Sequence, residues 1–194
     1  MSYTGYLSNS LKVLLFNADA AEENAKDSEA TKYGFVTLAI VGLVSAIINI
    51  ALPVPGTAGG LGYADLLLKP IMVIISFIIG YSIYHFLAKI LGGKATGAEY
   101  FRVLSGAMVV SLLTTLLIAL TGVGFPLVLG GVSWLLVGGW IMAVNTLVLH
   151  KVHQLSVLKA VMLGIVLPLA MLALLAFLYF VTFIHGSYYD RVLS

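Results

Sequence analysis

Five stretches of this chain are each long and apolar enough to cross the hydrocarbon core of a bilayer, which takes roughly 18–20 such residues in a helix. They run about 34–52, 71–91, 103–120, 127–149 and 157–184. Breakers or charges separate them: Pro53-Val54-Pro55-Gly56, Gly92-Gly93, the run from Thr121 to Pro126, and His150-Lys151. Lipid offers the backbone no hydrogen-bond partner, so only helices and closed barrels span it. A membrane barrel would alternate polar and apolar residues, and these runs do not alternate. The predicted fold class is all-α, a polytopic membrane protein with five transmembrane helices behind an amphipathic N-terminal segment. The fifth run exceeds one span, and tilt or a kink at Pro168 would absorb the surplus.

Composition agrees. Only 9% of the 194 residues are charged and 61% are hydrophobic, against about 25% charged in a soluble domain. Ten Lys and Arg with eight Asp and Glu cannot cover a soluble globule, which excludes the soluble-enzyme and nucleic-acid-binding classes. A net charge of +2 gives no argument for a polyanionic partner. The absence of cysteine removes disulfides, thiolate metal sites and thiol nucleophiles.

The cations set the expected orientation. Lys12, Lys26, Lys32, Lys89, Lys94, Arg102, Lys151 and Lys159 fall on one side of a five-span arrangement, and Lys69 and Arg191 on the other. The positive-inside bias then places the N-terminus in the cytoplasm and the C-terminus outside, in the plasma membrane. The chain divides into a cytoplasmic segment 1–32, a five-helix domain 33–185 and an external tail 186–194.

Tyr3, Tyr6, Leu7, Leu11, Leu14 and Leu15 recur at helical spacing with Ser8, Asn9 and Lys12 opposite. Two arrangements fit this pattern: a helix lying on the inner leaflet, or one packed under the bundle. The stretch 19–32 carries five acids and two lysines and reads as a solvated helix or linker, with Asp19 as its cap and a Glu22–Lys26 pair. Thr96-Gly97-Ala98-Glu99 reads as a capping box, with Glu99 in reach of Arg102. Gly42-xxx-Ala46 and Gly139-xxx-Ala143 are small-xxx-small pairs that allow close helix packing, and Trp140 is expected to face protein near Gly138 and Gly139.

Candidate chemistry is sparse. No charged residue sits at mid-span, which disfavours a proton-coupled pump. Asn49, Asn145, Thr114, Thr115, Ser45 and Ser111 are expected to bond between helices. His150 and His153 stand at helical spacing for a shared metal, with His85 as a third ligand from the same side, but such a site normally adds a carboxylate or thiolate and only Glu99 is near in topology. Ser133 and His185 would need a supporting base and oxyanion hole to be a hydrolase. No phosphate-loop or dinucleotide glycine pattern occurs. The chain is expected to be no enzyme and to need no cofactor or metal.

The segment from His85 to Gly106, HFLAKILGGKATGAEYFRVLSG, resembles the core of the Yip-type (Ypt/Rab-interacting) membrane domain family, in its short prokaryotic form. The likeness lies in a helix ending in Leu-Gly-Gly-Lys, a short polar stretch, and an aromatic–Arg-Val-Leu helix start. It extends over about 30–185, including the basic loop between Trp140 and Lys159. Eukaryotic members are membrane adaptors in vesicle transport that bind prenylated GTPases and one another. Asn17-Ala18-Asp19 stands where the family has a proline–aromatic start, so GTPase binding is not carried over. The resemblance implies a non-catalytic adaptor or membrane-organising protein acting through its cytoplasmic face. Lys94, Arg102, Lys151 and Lys159 would contact anionic lipid or a cytoplasmic protein partner, and Gly92 and Gly93 would form the structural turn. A homo-oligomer is compatible with this; nucleic acid is not a partner. The alternative is a small-molecule or lipid transporter, which requires a lined cavity at mid-depth.

Overall fold

Long apolar helices account for most of the chain. The structure, a computed structural model, describes residues 1–52, 62–121 and 127–192, is 88% helical and has no strand among the described residues. Five helical stretches are long and apolar enough to span a membrane: Ala30–Ala51, Gly62–Ile90, Gly97–Thr121, Gly131–Lys151 and Val157–Thr182. This is a multi-pass membrane protein. The proline- and glycine-rich connections at 53–61 and 122–126 lie outside the described residues.

In chain order the helices are α1 (Tyr3–Leu14), α2 (Ala18–Lys26), α3 (Ala30–Ala51), α4 (Asp65–Ile90), α5 (Gly97–Ala107), α6 (Ser111–Thr121), α7 (Leu127–Lys151), α8 (Val157–Val161) and α9 (Leu167–Val192). Helices α5 and α6 make one span interrupted by a 3₁₀ turn at Met108–Val110. Between α8 and α9 a π turn occupies Met162–Val166. Pro168 explains that turn: it has no N–H for the carbonyl four residues back, and its ring crowds that carbonyl, so the helix widens before it.

Helix α3 packs on α4, α5 and α6, and α7 packs on α6, α5 and the π turn. The α3–α4 crossing is close because of Gly42, where an added Cβ would stand 2.4 Å from the Pro70 Cα. The second small-residue pair does not behave this way. A Cβ at Gly139 would meet nothing within 4 Å, so no helix crosses there. Small residues permit close approach, but a partner helix must supply it.

Helices α1 and α2 form a hairpin inserted into the bundle against α5, which settles the choice left open for α1. Tyr6 and Val13 are fully buried, and a Cβ at Gly106 of α5 would lie 2.0 Å from the Ser10 Oγ. Leu11, Leu15 and Phe16 stay exposed, as apolar side chains facing lipid would be. The expectation of a solvated 19–32 segment is corrected. Ala20, Ala21, Asn24 and Ala25 form a buried stripe on α2, and its acids occupy the outer side. Its cap is Asn17 rather than Asp19: the Ala20 N–H donates to the Asn17 carboxamide oxygen at 2.9 Å. The Glu22–Lys26 pair forms at 3.3 Å.

Trp140 faces protein, as expected, but its partners are in the hairpin and not at Gly138 and Gly139. Its indole N–H donates to the Leu14 carbonyl at 2.9 Å, and its ring meets Phe16 at 5.2 Å. Trp140 lies eleven residues before the end of α7, about 16 Å along the axis at 1.5 Å per residue. The hairpin tip therefore reaches well down the bundle.

Candidate functional site

The two predicted turn glycines do different jobs. Helix α4 ends in a Schellman motif: Gly93 N–H donates to the Ala88 carbonyl at 2.8 Å and Gly92 N–H to the Lys89 carbonyl at 3.0 Å. Gly92 takes the left-handed conformation, φ +93°. Gly93 serves close approach instead, since a Cβ there would lie 2.7 Å from the His153 Nδ1. Lys94 N–H then donates to the His153 carbonyl at 2.9 Å, joining the α4–α5 turn to the α7–α8 loop.

Four polar side chains gather beneath this junction. His85 Nδ1 and His153 Nε2 are 3.3 Å apart. The Tyr100 ring stands edge-on to His153 at 4.9 Å, and its hydroxyl donates to the Asn145 carboxamide oxygen. His153 and Tyr100 are both fully buried. Burial drives the His153 imidazole down to about 4, with His85 and Lys89 pushing the same way. The neutral pair therefore shares one N–H. With His153 Nδ1 unpartnered, the favoured tautomer has His153 Nε2–H donating to His85, because an orphaned lone pair costs less than an orphaned N–H.

The sequence pairing of His150 with His153 is not what forms. His150 Nδ1 donates to the Leu155 carbonyl at 2.8 Å, and His85 takes its place beside His153. Among the described residues no three His, Cys, Asp or Glu converge as metal ligands. Ser133 is buried, and the side chain of His185 lies outside the described groups. Asn145 does bond between helices, as does Ser45, which lies 3.4 Å from Thr115. Ser111 bonds within its own helix turn instead, to Met108 at 2.6 Å.

The four candidate cations divide into two kinds. Lys94 and Lys151, like Lys159, are exposed. Arg102 holds the hairpin: its Nε donates to Thr31 Oγ1 and a terminal nitrogen to the Ala25 carbonyl, both at 2.8 Å. Lys159 Nζ donates to the Leu91 carbonyl at 2.7 Å, at the end of α4. Glu99 forms no ion pair with Arg102 and completes the capping box, accepting from Thr96 N–H at 2.6 Å while Thr96 Oγ1 accepts from Glu99 N–H at 3.2 Å.

Sequence reasoning grouped His85 with His153 as candidate metal ligands, not as a hydrogen-bonded pair, and it missed the Tyr100–Asn145 pair; the partners lie 68 and 45 residues apart. The one available signal was polar residues near helix ends in two loops of the same side. It also missed a cavity of about 310 Å³ that Asn145 of α7 lines together with Val73, Phe77, Gly80 and Tyr84 of α4 and Met108 next to α5. No family model, no curated protein and no solved structure matches this chain.

Proposed function

We propose that this chain is a non-catalytic membrane adaptor of the Yip type, with its Lys94 end in the cytoplasm of a plasma-membrane protein. The observation that carries the reading is the Lys94–His153 backbone bond at 2.9 Å, which brings two basic loops together and leaves Lys94 and Lys151 exposed there. Cations at an anionic surface contribute about 1 kcal/mol each, enough for a docking face that salt weakens. The uneven distribution of lysine and arginine supports the orientation. Polar-solute transport draws little support, because the cavities among the described residues have mainly apolar walls.

The test separates docking cations from structural ones. Lys94→Gln with Lys151→Gln should insert and melt as the parent does, yet lose capture of cytoplasmic proteins by the purified chain. Arg102→Gln should lower stability first. Unchanged capture by the double variant overturns the adaptor reading, and flux of a solute through reconstituted protein would replace it with a transporter.

A further inference from the structure

The cavity that Asn145 lines lies between α4 and α7, with α5 behind it and Leu14 of the hairpin on its wall. Helices α4 and α7 do not pack on one another extensively along it, so it faces the bilayer. Its lining is almost wholly apolar apart from Ser76, Tyr81, Tyr84 and Asn145. The hydroxyls of Ser76, Tyr81 and Tyr84 have no hydrogen-bond partner among the described residues. The two tyrosines lie toward the end where Tyr100, His85 and His153 gather, and the Val73 end is apolar.

Length and polarity choose the occupant. Val73 to Tyr84 is about 16 Å of α4 at 1.5 Å per residue. The groove offers about 310 Å³ along that length and is open on one side. An apolar groove with two unpartnered tyrosine hydroxyls toward one end matches an extended hydrocarbon chain with its ester oxygens above it. We infer that the α4–α5–α7 groove holds one acyl chain of a bilayer phospholipid, with the Tyr81 and Tyr84 hydroxyls donating to its ester oxygens. Apolar burial fixes the chain, and the hydroxyls that the protein leaves unpaired fix its depth.

Gly80 makes the inference testable. It lines the groove, and a Cβ there would meet nothing within 4 Å, so the side chain of Gly80→Phe starts into open space. The protein is reconstituted in phosphatidylcholine vesicles containing a phosphatidylcholine with a photoactivatable acyl chain, and adducts are mapped by fragment mass spectrometry. Adducts are expected on Ser76, Tyr81 and Tyr84, falling at least fivefold in Gly80→Phe. Labelling of the lipid-facing Ile79 and Ile83, which are 57% and 54% exposed, should stay within twofold. Gly139→Phe, at an equally open glycine off the groove, should label as the parent. Ser76→Phe closes the groove independently should Gly80→Phe misfold. Groove labelling untouched by either filling variant overturns the inference. So does an unlabelled groove in a detergent-stable dimer that Gly80→Phe dissociates, since the occupant would then be a second copy.

Discussion

His85 and His153 meet at 3.3 Å between Nδ1 and Nε2, and the second ring is fully buried with an unpartnered Nδ1. Lys89 and Glu99 are the charged groups that act on this ring from α4 and α5. Its folded-state value near 4 lies below the unfolded 6.5, so the unfolded chain binds the proton more readily. Stability is then full above pH 6.5, falls as pH drops toward 4, and levels off below.

The loss across that window should be roughly 2–3 kcal/mol. Melting in detergent at pH 7.5 and 4.5 checks it, with a fall of about 5–10 °C expected. His153→Gln should flatten most of this slope. A slope retained in that variant would assign it to other groups.

The α4–α5 turn makes a graded prediction. Gly92→Ala puts a side chain at φ +93° and should cost about 1 kcal/mol. Gly93→Ala drives a methyl against His153 and should cost about 1–3 kcal/mol. Gly97→Ala, with its nearest neighbour 3.6 Å from the new Cβ, should be neutral or slightly stabilising. Thermal unfolding of the three variants gives the ranking.

Tyr100 and Asn145 should be energetically coupled. Tyr100→Phe leaves a buried carboxamide oxygen unpaired, costing about 1–3 kcal/mol. Asn145→Leu should cost a similar amount, and the double variant clearly less than the sum. Additive losses in the cycle would mean that the hydrogen bond contributes nothing of its own.

Orientation is open to direct measurement because the chain has no cysteine. Single cysteines at Ser28, Ala95 and Gln154 should react in intact cells only with membrane-permeant reagents. Cysteines at Thr57 and Ser187 should be reached by impermeant ones. External labelling at position 95 would invert the arrangement.

What the sequence revealed follows from how local each signal is. Spans are read from unbroken apolar runs, and the Thr96–Glu99 box from residues three apart. Helix α2 was obscured because its buried stripe is alanine and asparagine, which carry little hydrophobic signal beside the acids around them. Asn17 and Asp19 are both good caps, and only the buried register of α2 selects the first. Arg102 looked like a surface cation because its two acceptors, a backbone carbonyl and a threonine, belong to elements more than 70 residues away. The groove is a property of three helices together, with no trace in any one of them.

The hairpin carries a consequence for biosynthesis. Its fasteners are the Arg102 bonds to Ala25 and Thr31, the Tyr6 bond to the Arg102 carbonyl at 3.0 Å and the Trp140 bond to Leu14. The last joins residues 126 positions apart. At about 5–20 residues per second, the first two helices wait roughly 6–25 s after emerging for their final partner to be made. Over that interval Leu14 and Phe16 lack their contacts with Trp140, and a leaflet or an insertion factor must shelter them. Helices α1 and α2, translated before α7, thus reach their final places only after it is made.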